Sequence, residues 1–328
     1  MGLSKSQNQF LVGVWWRLLW HTQGFDYGWL LPAIASLPLR FGYRLAAIRG
    51  RLNAWLSRDW RSMSLGRAHI ATLSRQAYGL MPTKSSPRSQ QAWVQERFMT
   101  ESRCDFEAYL VDSGQIPKLG HRVNKPATEH GLFATDRRGL VLLTSHFDSF
   151  YLGLVLIGTH LAQENRRLDV MSSAVFEDPM VHPAITRHLR NKYRGLEQFM
   201  GGGKVMHHEN GLRQFYDVLG RGGILVVIGD IPATQGGASI QVEFLGAKRN
   251  LAGGAVRMAR KCDSRIGSFT CTHSGGGNYQ LDFSQIMDAK DPAAVQSCYS
   301  FLSSKIQASP GKWWAADMLT QMPAVTEA

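Results

Sequence analysis

The sequence predicts an α/β fold: a mostly parallel central sheet flanked by helices, with an amphipathic helical region at its N-terminal end. Two observations predict the sheet. Apolar runs of strand length, GLVLLTS (139–145) and GGILVVIGD (222–230), read as strands buried on both faces. They alternate with stretches of helical spacing such as FDSFYLGLVLIGTHLAQEN (147–165), and that alternation builds parallel sheets covered on both sides. A third observation predicts the helical region: residues 40–80 place apolar side chains at near-helical intervals among many arginines.

Each element follows from local pattern. TKSSPRS (83–89) is a polar loop, and 90–114 is a helix ended by Ser113-Gly114. Residues 115–138 are polar and irregular. After the strand 139–145 and the helix 147–165 come a strand in LDVMSSA (168–174) and a helix over 182–193 that ends near Gly195. Residues 209–219 form a helix stopped by Gly220, ahead of the strand 222–230. SIQVEFLG (239–246) alternates as an edge strand does, and LAGGAVRMARK (251–261) reads as a short helix. RIGSFTCTH (265–273) and NYQLDFSQI (278–286) are strands joined by the turn SGGG, and 291–308 is a closing helix. Gly201-Gly202-Gly203 is a turn, or a place where backbone approaches a phosphate.

The chain has 328 residues and a hydrophobic content of 44%, enough for a sizeable core. Residues 1–130 form a basic, Trp-rich helical region and 131–328 an α/β region, read as one continuous domain. Four cysteines without CxxC spacing point to a reduced compartment and away from a zinc ribbon or disulfide framework. The net charge is +12, and residues 1–70 hold nine Lys/Arg against two Asp. Six of the nine tryptophans lie there too: Trp15, Trp16, Trp20, Trp29, Trp55 and Trp60. Arginine mixed with indole and leucine suits a membrane surface. No nucleic-acid partner is expected, because the charge is interleaved with bulky apolar residues and no nucleic-acid motif is present. FLVGVWW (10–16) stops at Arg17, and WLLPAIASLPL (29–39) contains Pro32 and Pro38 and stops at Arg40. Both fall short of the roughly 18–20 apolar residues of a membrane span. The expectation is a membrane-docking region lying on a bilayer rather than crossing it.

His146 stands where an apolar strand ends and a helix begins. In such sheets, sites lie beyond the carboxyl ends of strands. An unpaired imidazole titrates at about 6.5 and can take a proton at neutral pH, given an acid to hold its tautomer. Asp148 is either that acid or a cap on the following helix, the commoner role. A metal reading of SHFDS requires further ligands, and the chain has neither a Glu-Glu pair nor HExxH spacing, so no metal site is expected. Ser145, a conceivable nucleophile, points to the opposite face of the strand from its neighbour His146.

Several motifs occur in a recognisable order. GLVLLTSHFDSFYLG (139–153) joins strand, His and helix. FEDPMVHPAITRHLRNKYRG (176–195) has a downstream Arg before Gly. RGGILVVIGDIP (221–232) is a strand ending in Asp. Residues 242–283 give a Phe–Gly turn, a small-residue helix and a final strand pair, and PGKWWAADM (310–318) is Trp-rich. Over most of its length the chain resembles the lipid A biosynthesis acyltransferase family, the bacterial lauroyl/myristoyl transferases within the lysophospholipid acyltransferase-like group. That resemblance implies a membrane-associated O-acyltransferase on the cytoplasmic face of a bacterial inner membrane, peripheral or monotopic. Its donor would be an acyl thioester of acyl carrier protein or coenzyme A, with no further cofactor. Its acceptor would be a hydroxyl of a glycolipid or lysolipid, and His146 the general base. By motif position Arg190 would be a hydrogen-bond donor to the transition-state oxyanion or a phosphate contact, with Arg187 and Arg194 as competitors; Tyr151 and Glu177 stand beside it as substrate-binding candidates. The chain departs from the pattern at Tyr151, where the family has an acid. Three explanations are open: Asp148 replaces it; Asp230 or Glu177 approaches from another strand end; or the chain is a catalytically impaired homologue that binds lipid or acyl carrier. A soluble acyltransferase of a secondary metabolite is a third reading.

Overall fold

A computed structural model describes residues 18, 20–64, 70–83, 85–116, 119–123 and 137–325. The apolar run 10–16, with Trp15 and Trp16, and the division at 130/131 lie outside the described residues.

The N-terminal region is helical. A π-helical turn at Asp26–Leu30 leads into α1 (Leu31–Ser36), and α2 (Leu39–Trp55) begins after Pro38, whose backbone is not helical. Then come α3 (Trp60–Ser64), α4 (Ile70–Gly79) and α5 (Pro87–Asp112). Ser86 starts α5: its hydroxyl accepts from Ser89 N–H, and Ser89 returns a bond to Ser86 N–H, with Pro87 next in line. Helix α2 lies tightly on α5 through small residues. A Cβ on Gly42 would sit 2.5 Å from the Phe106 ring, and one on Gly50 would sit 2.5 Å from Met99 Cα.

The central sheet runs β1 (Gly120–Val123), β9 (Asn278–Phe283), β8 (Arg265–Gly275), β2 (Leu140–Thr144), β5 (Ile224–Ile228), β3 (Leu168–Ser172), β4 (Val205–His207). Strands β8, β2, β5, β3 and β4 are parallel; β9 is antiparallel to β8, and the short β10 (Met287–Asp288) pairs antiparallel with β8. The remaining helices are α6 (Phe150–Gln163), α7 (Pro183–Glu197), α8 (Arg213–Gly220), α9 (Gly254–Lys261) and α10 (Ala294–Ala308). Alternate residues of β2 and β5 feed different cores. Leu140, Leu142, Ile224 and Val226 pack with α6, whereas Val141, Leu143 and Leu225 pack with α8, α9 and α10. Fully burying each such side chain contributes about 1.5–3 kcal/mol. Helix α5 supplies Phe106 and Leu110 to the first core and Val94 and Phe98 to the second, so the helical region shares both cores with the sheet.

Several elements differ from the sequence expectation. β1 lies in the stretch read as irregular, and the three-residue β4 follows the glycine run; both are too short to show a period. Gly201-Gly202-Gly203 is a turn, in which a Cβ on Gly203 would lie 1.8 Å from Leu168 O. SIQVEFLG is not an edge strand of the main sheet. Its strand β6 (Ser239–Phe244) forms a separate hairpin with β7 (Ala247–Ala252), which takes up the start of the expected helix 251–261. The helix after His182 runs through Gly195 to Glu197, because this glycine sits against α5, with Val111 3.3 Å from the position of a Cβ. Among the described residues no helix is long and apolar enough to cross a membrane.

Candidate active site

Strand register builds the site. The parallel pairing of β2 with β5 sets Thr144 opposite Ile228, and Gly229 N–H donates to Thr144 O at 2.7 Å. Two residues beyond that pair, His146 and Asp230 leave the sheet side by side. His146 Nδ1 lies 3.0 Å from Asp230 Oδ1, and Asp230 Oδ2 accepts His146 backbone N–H at 2.9 Å. A carboxylate at Nδ1 favours the tautomer that donates there and leaves Nε2 as the acceptor. Nε2 makes no hydrogen bond among the described residues, and the His146 side chain keeps 12% of its surface open.

The Trp-rich stretch closes one side. Lys312–Trp314 runs antiparallel to His146–Asp148: Asp148 N–H donates to Lys312 O at 2.8 Å, and Trp314 N–H donates to His146 O at 3.1 Å. This places the buried Trp313 indole so that Nε1 donates to Asp230 Oδ2 at 2.7 Å. The Trp314 ring stands edge-on to the imidazole at 4.7 Å and stacks on Phe150 at 5.7 Å. Its carbonyl accepts from Arg97 Nε at 2.9 Å and Arg61 Nη2 at 3.4 Å. Both arginines pair with Asp59, at 2.8 Å and 3.1 Å. Burial alone would raise the Asp59 pKa, but Arg61 and Arg97 outweigh it and hold the carboxyl below its ordinary range.

Asp148 turns away from the imidazole. Its carboxylate pairs with Arg103 and with Lys312 Nζ at 2.9 Å, and it accepts His273 N–H at 3.1 Å. Nor does it cap α6, whose N-terminus carries no side-chain cap. The residue is fully buried with φ at +49°, an uncommon conformation that Asp tolerates better than most. Arg103 also meets Glu107, whose carboxylate accepts from Ser149 Oγ and Tyr279 Oη, each at 3.0 Å. Burial first, with help from Asp148, pushes Glu107 up to about 7 against the pull of Arg103. Burial, reinforced by Arg103, pushes His273 down to about 4.

The other singled-out residues lie apart from this pair. The buried Tyr151 points to α7 and donates from Oη to Lys192 O at 2.7 Å. Arg190 and Glu177 are exposed, 3.9 Å apart, a separation that contributes little to stability. With Arg187 and Arg194 they line an open groove of about 770 Å³. That groove begins after β3, two strands from β2 and so about 10 Å along the same sheet edge. Ser145 Oγ is buried, with no hydrogen-bond partner among the described residues. Among the described residues, no three or more His, Cys, Asp or Glu are grouped to hold a metal ion.

Sequence reasoning missed the clamp residues Trp313 and Trp314 and the cations Arg103 and Lys312. The adjacent tryptophans are the one visible signal, and in the sequence they show only as part of a Trp-rich motif. Compared with known proteins, the chain matches no family model and no curated sequence.

Proposed function

We propose that the protein is a membrane-associated O-acyltransferase of the kind its sequence resembles, moving an acyl group from a thioester to a hydroxyl of a glycolipid or lysolipid. The observation that carries this reading is the His146–Asp230 pair at the carboxyl edge of the sheet, with the imidazole Nε2 left open. Asp230 holds the Nδ1–H tautomer and stabilises the imidazolium. Nε2 takes the acceptor's hydroxyl proton as that oxygen attacks the thioester carbonyl. The tetrahedral oxyanion collapses, the C–S bond breaks, and the imidazolium returns its proton to the departing thiolate. The arginine-lined groove on the same edge suits the anionic end of the donor, acyl carrier protein or coenzyme A. The reading needs no metal or further cofactor.

Tyr151 at the family's acid position favours a homologue without turnover. Asp230 weakens that alternative, since it supplies the carboxylate from the next strand. The test is transfer of a labelled acyl chain from acyl carrier protein or coenzyme A to lipid in vesicles. His146→Ala should lower turnover by about 10³-fold or more, the scale of losing a general base. Unchanged transfer ends the catalytic proposal.

A further inference from the structure

Helix α2 is built with its large apolar residues facing out. At about 100° per residue, Phe41, Leu45, Ile48, Leu52 and Trp55 fall within an arc of about 80°. All five are exposed, Trp55 to 81%. The inward face holds Gly42, Ala46, Arg49 and Gly50, pressed on α5. A helix packed only for the core of a soluble domain would reverse this arrangement. Phe25 and Trp29, just before α1, are exposed as well, Trp29 to 74%.

Charge specifies what covers the face. Arg40, Arg44 and Arg51 lie together along one flank of the stripe. They are exposed and have no ion pair or hydrogen bond among the described residues. Residues 27–58 contain no Asp or Glu. The arginine of α2 that takes carboxylates, Arg49, is turned inward to Asp26 and Asp105, and Arg58 beyond the helix also pairs with Asp26. An acidic surface complements this face, whereas a second copy would bring like charges together.

The geometry points to this face of α2 as a surface that lies flat in the interface of an anionic bilayer, with Phe41, Leu45, Ile48 and Leu52 among the acyl chains and the three arginines on lipid phosphates. Tryptophan near an end of the stripe suits the headgroup level. This inference goes further than the proposed function by naming the docking element, and it does not depend on chemistry at His146.

Sedimentation with vesicles tests it, using phosphatidylethanolamine containing one quarter phosphatidylglycerol against phosphatidylcholine alone. The full chain should bind the anionic vesicles strongly and the neutral ones weakly. Arg40→Gln/Arg44→Gln/Arg51→Gln should lower anionic binding by about 100-fold, the product of three lipid–arginine contacts. Ile48→Glu/Leu52→Glu should lower binding to both vesicles by about tenfold or more while changing the thermal melt little, since both residues are about half exposed. Leu212→Glu, at an exposed apolar residue outside this region, should change nothing. Full vesicle binding by the Ile48/Leu52 variant overturns the proposal, as does a wild-type dimer that this variant dissolves with vesicle binding intact. His146→Ala should bind vesicles like wild type, so failed catalysis and failed docking are separate results.

Discussion

Asp148 and Asp230 sit near one strand end, and both are buried, yet their partners differ in kind. Asp148 meets two cations and a backbone N–H, so its charge is already neutralised. Asp230 meets an imidazole, an indole N–H and a backbone N–H, and no Lys or Arg among the described residues. A carboxylate held by neutral donors faces no cation until an imidazolium forms beside it, whereas the one between Arg103 and Lys312 is already matched by two. The first arrangement suits proton transfer, and the second fastens elements together: α5, the turn before α6, β8 and the Lys312 segment all meet at Asp148.

Substitution should pull the two apart. The largest effect is expected at Asp230→Asn, which keeps the shape but reverses the preferred tautomer; turnover should fall by about 10³–10⁴-fold with the fold intact. Asp148→Asn should do the opposite. Two cations left beside a neutral amide should cost about 3–5 kcal/mol of stability, read from urea unfolding, with per-molecule turnover of the folded fraction little changed. Heavy loss of turnover without loss of stability at Asp148 would erase the contrast. The smallest effect is a pH slope. Glu107, raised from 4.5 to about 7, favours the fold when protonated, so its contribution is present below about pH 4.5 and lost as pH rises to about 7. His273, lowered from 6.5 to about 4, works the other way: its contribution is present above about pH 6.5 and lost as pH falls towards 4. Glu107→Gln should remove the first slope and leave stability rising with pH across this window, as unfolding at a series of pH values would record.

Legibility in the sequence followed length and period. β2, β5 and the helices around them were readable because five-residue apolar runs and helical spacing both carry a signal. β1 and β4 were not, being short and mixed in polarity, and the hairpin β6–β7 was hidden because its second strand merges into LAGGAV. His146 could be picked out from its place at a strand end, and Asp230 stood among the candidate partners. The choice between Asp230 and Asp148 was not legible: one is 84 residues away and the other two, and only the β2–β5 register decides it. The role of α5 was similarly hidden, since it buries Arg97 and Glu107 on faces where a pattern reading expects apolar residues.

The segment Lys312–Trp314 has a consequence in time. During synthesis the ribosome delivers His146 before Asp230, and Asp230 before the indole that holds it. A growing chain therefore carries its imidazole with no braced carboxylate beside it, and the constellation is finished only when residue 314 has emerged and folded back. Maturation of the site in this way waits for the emergence of Lys312–Trp314.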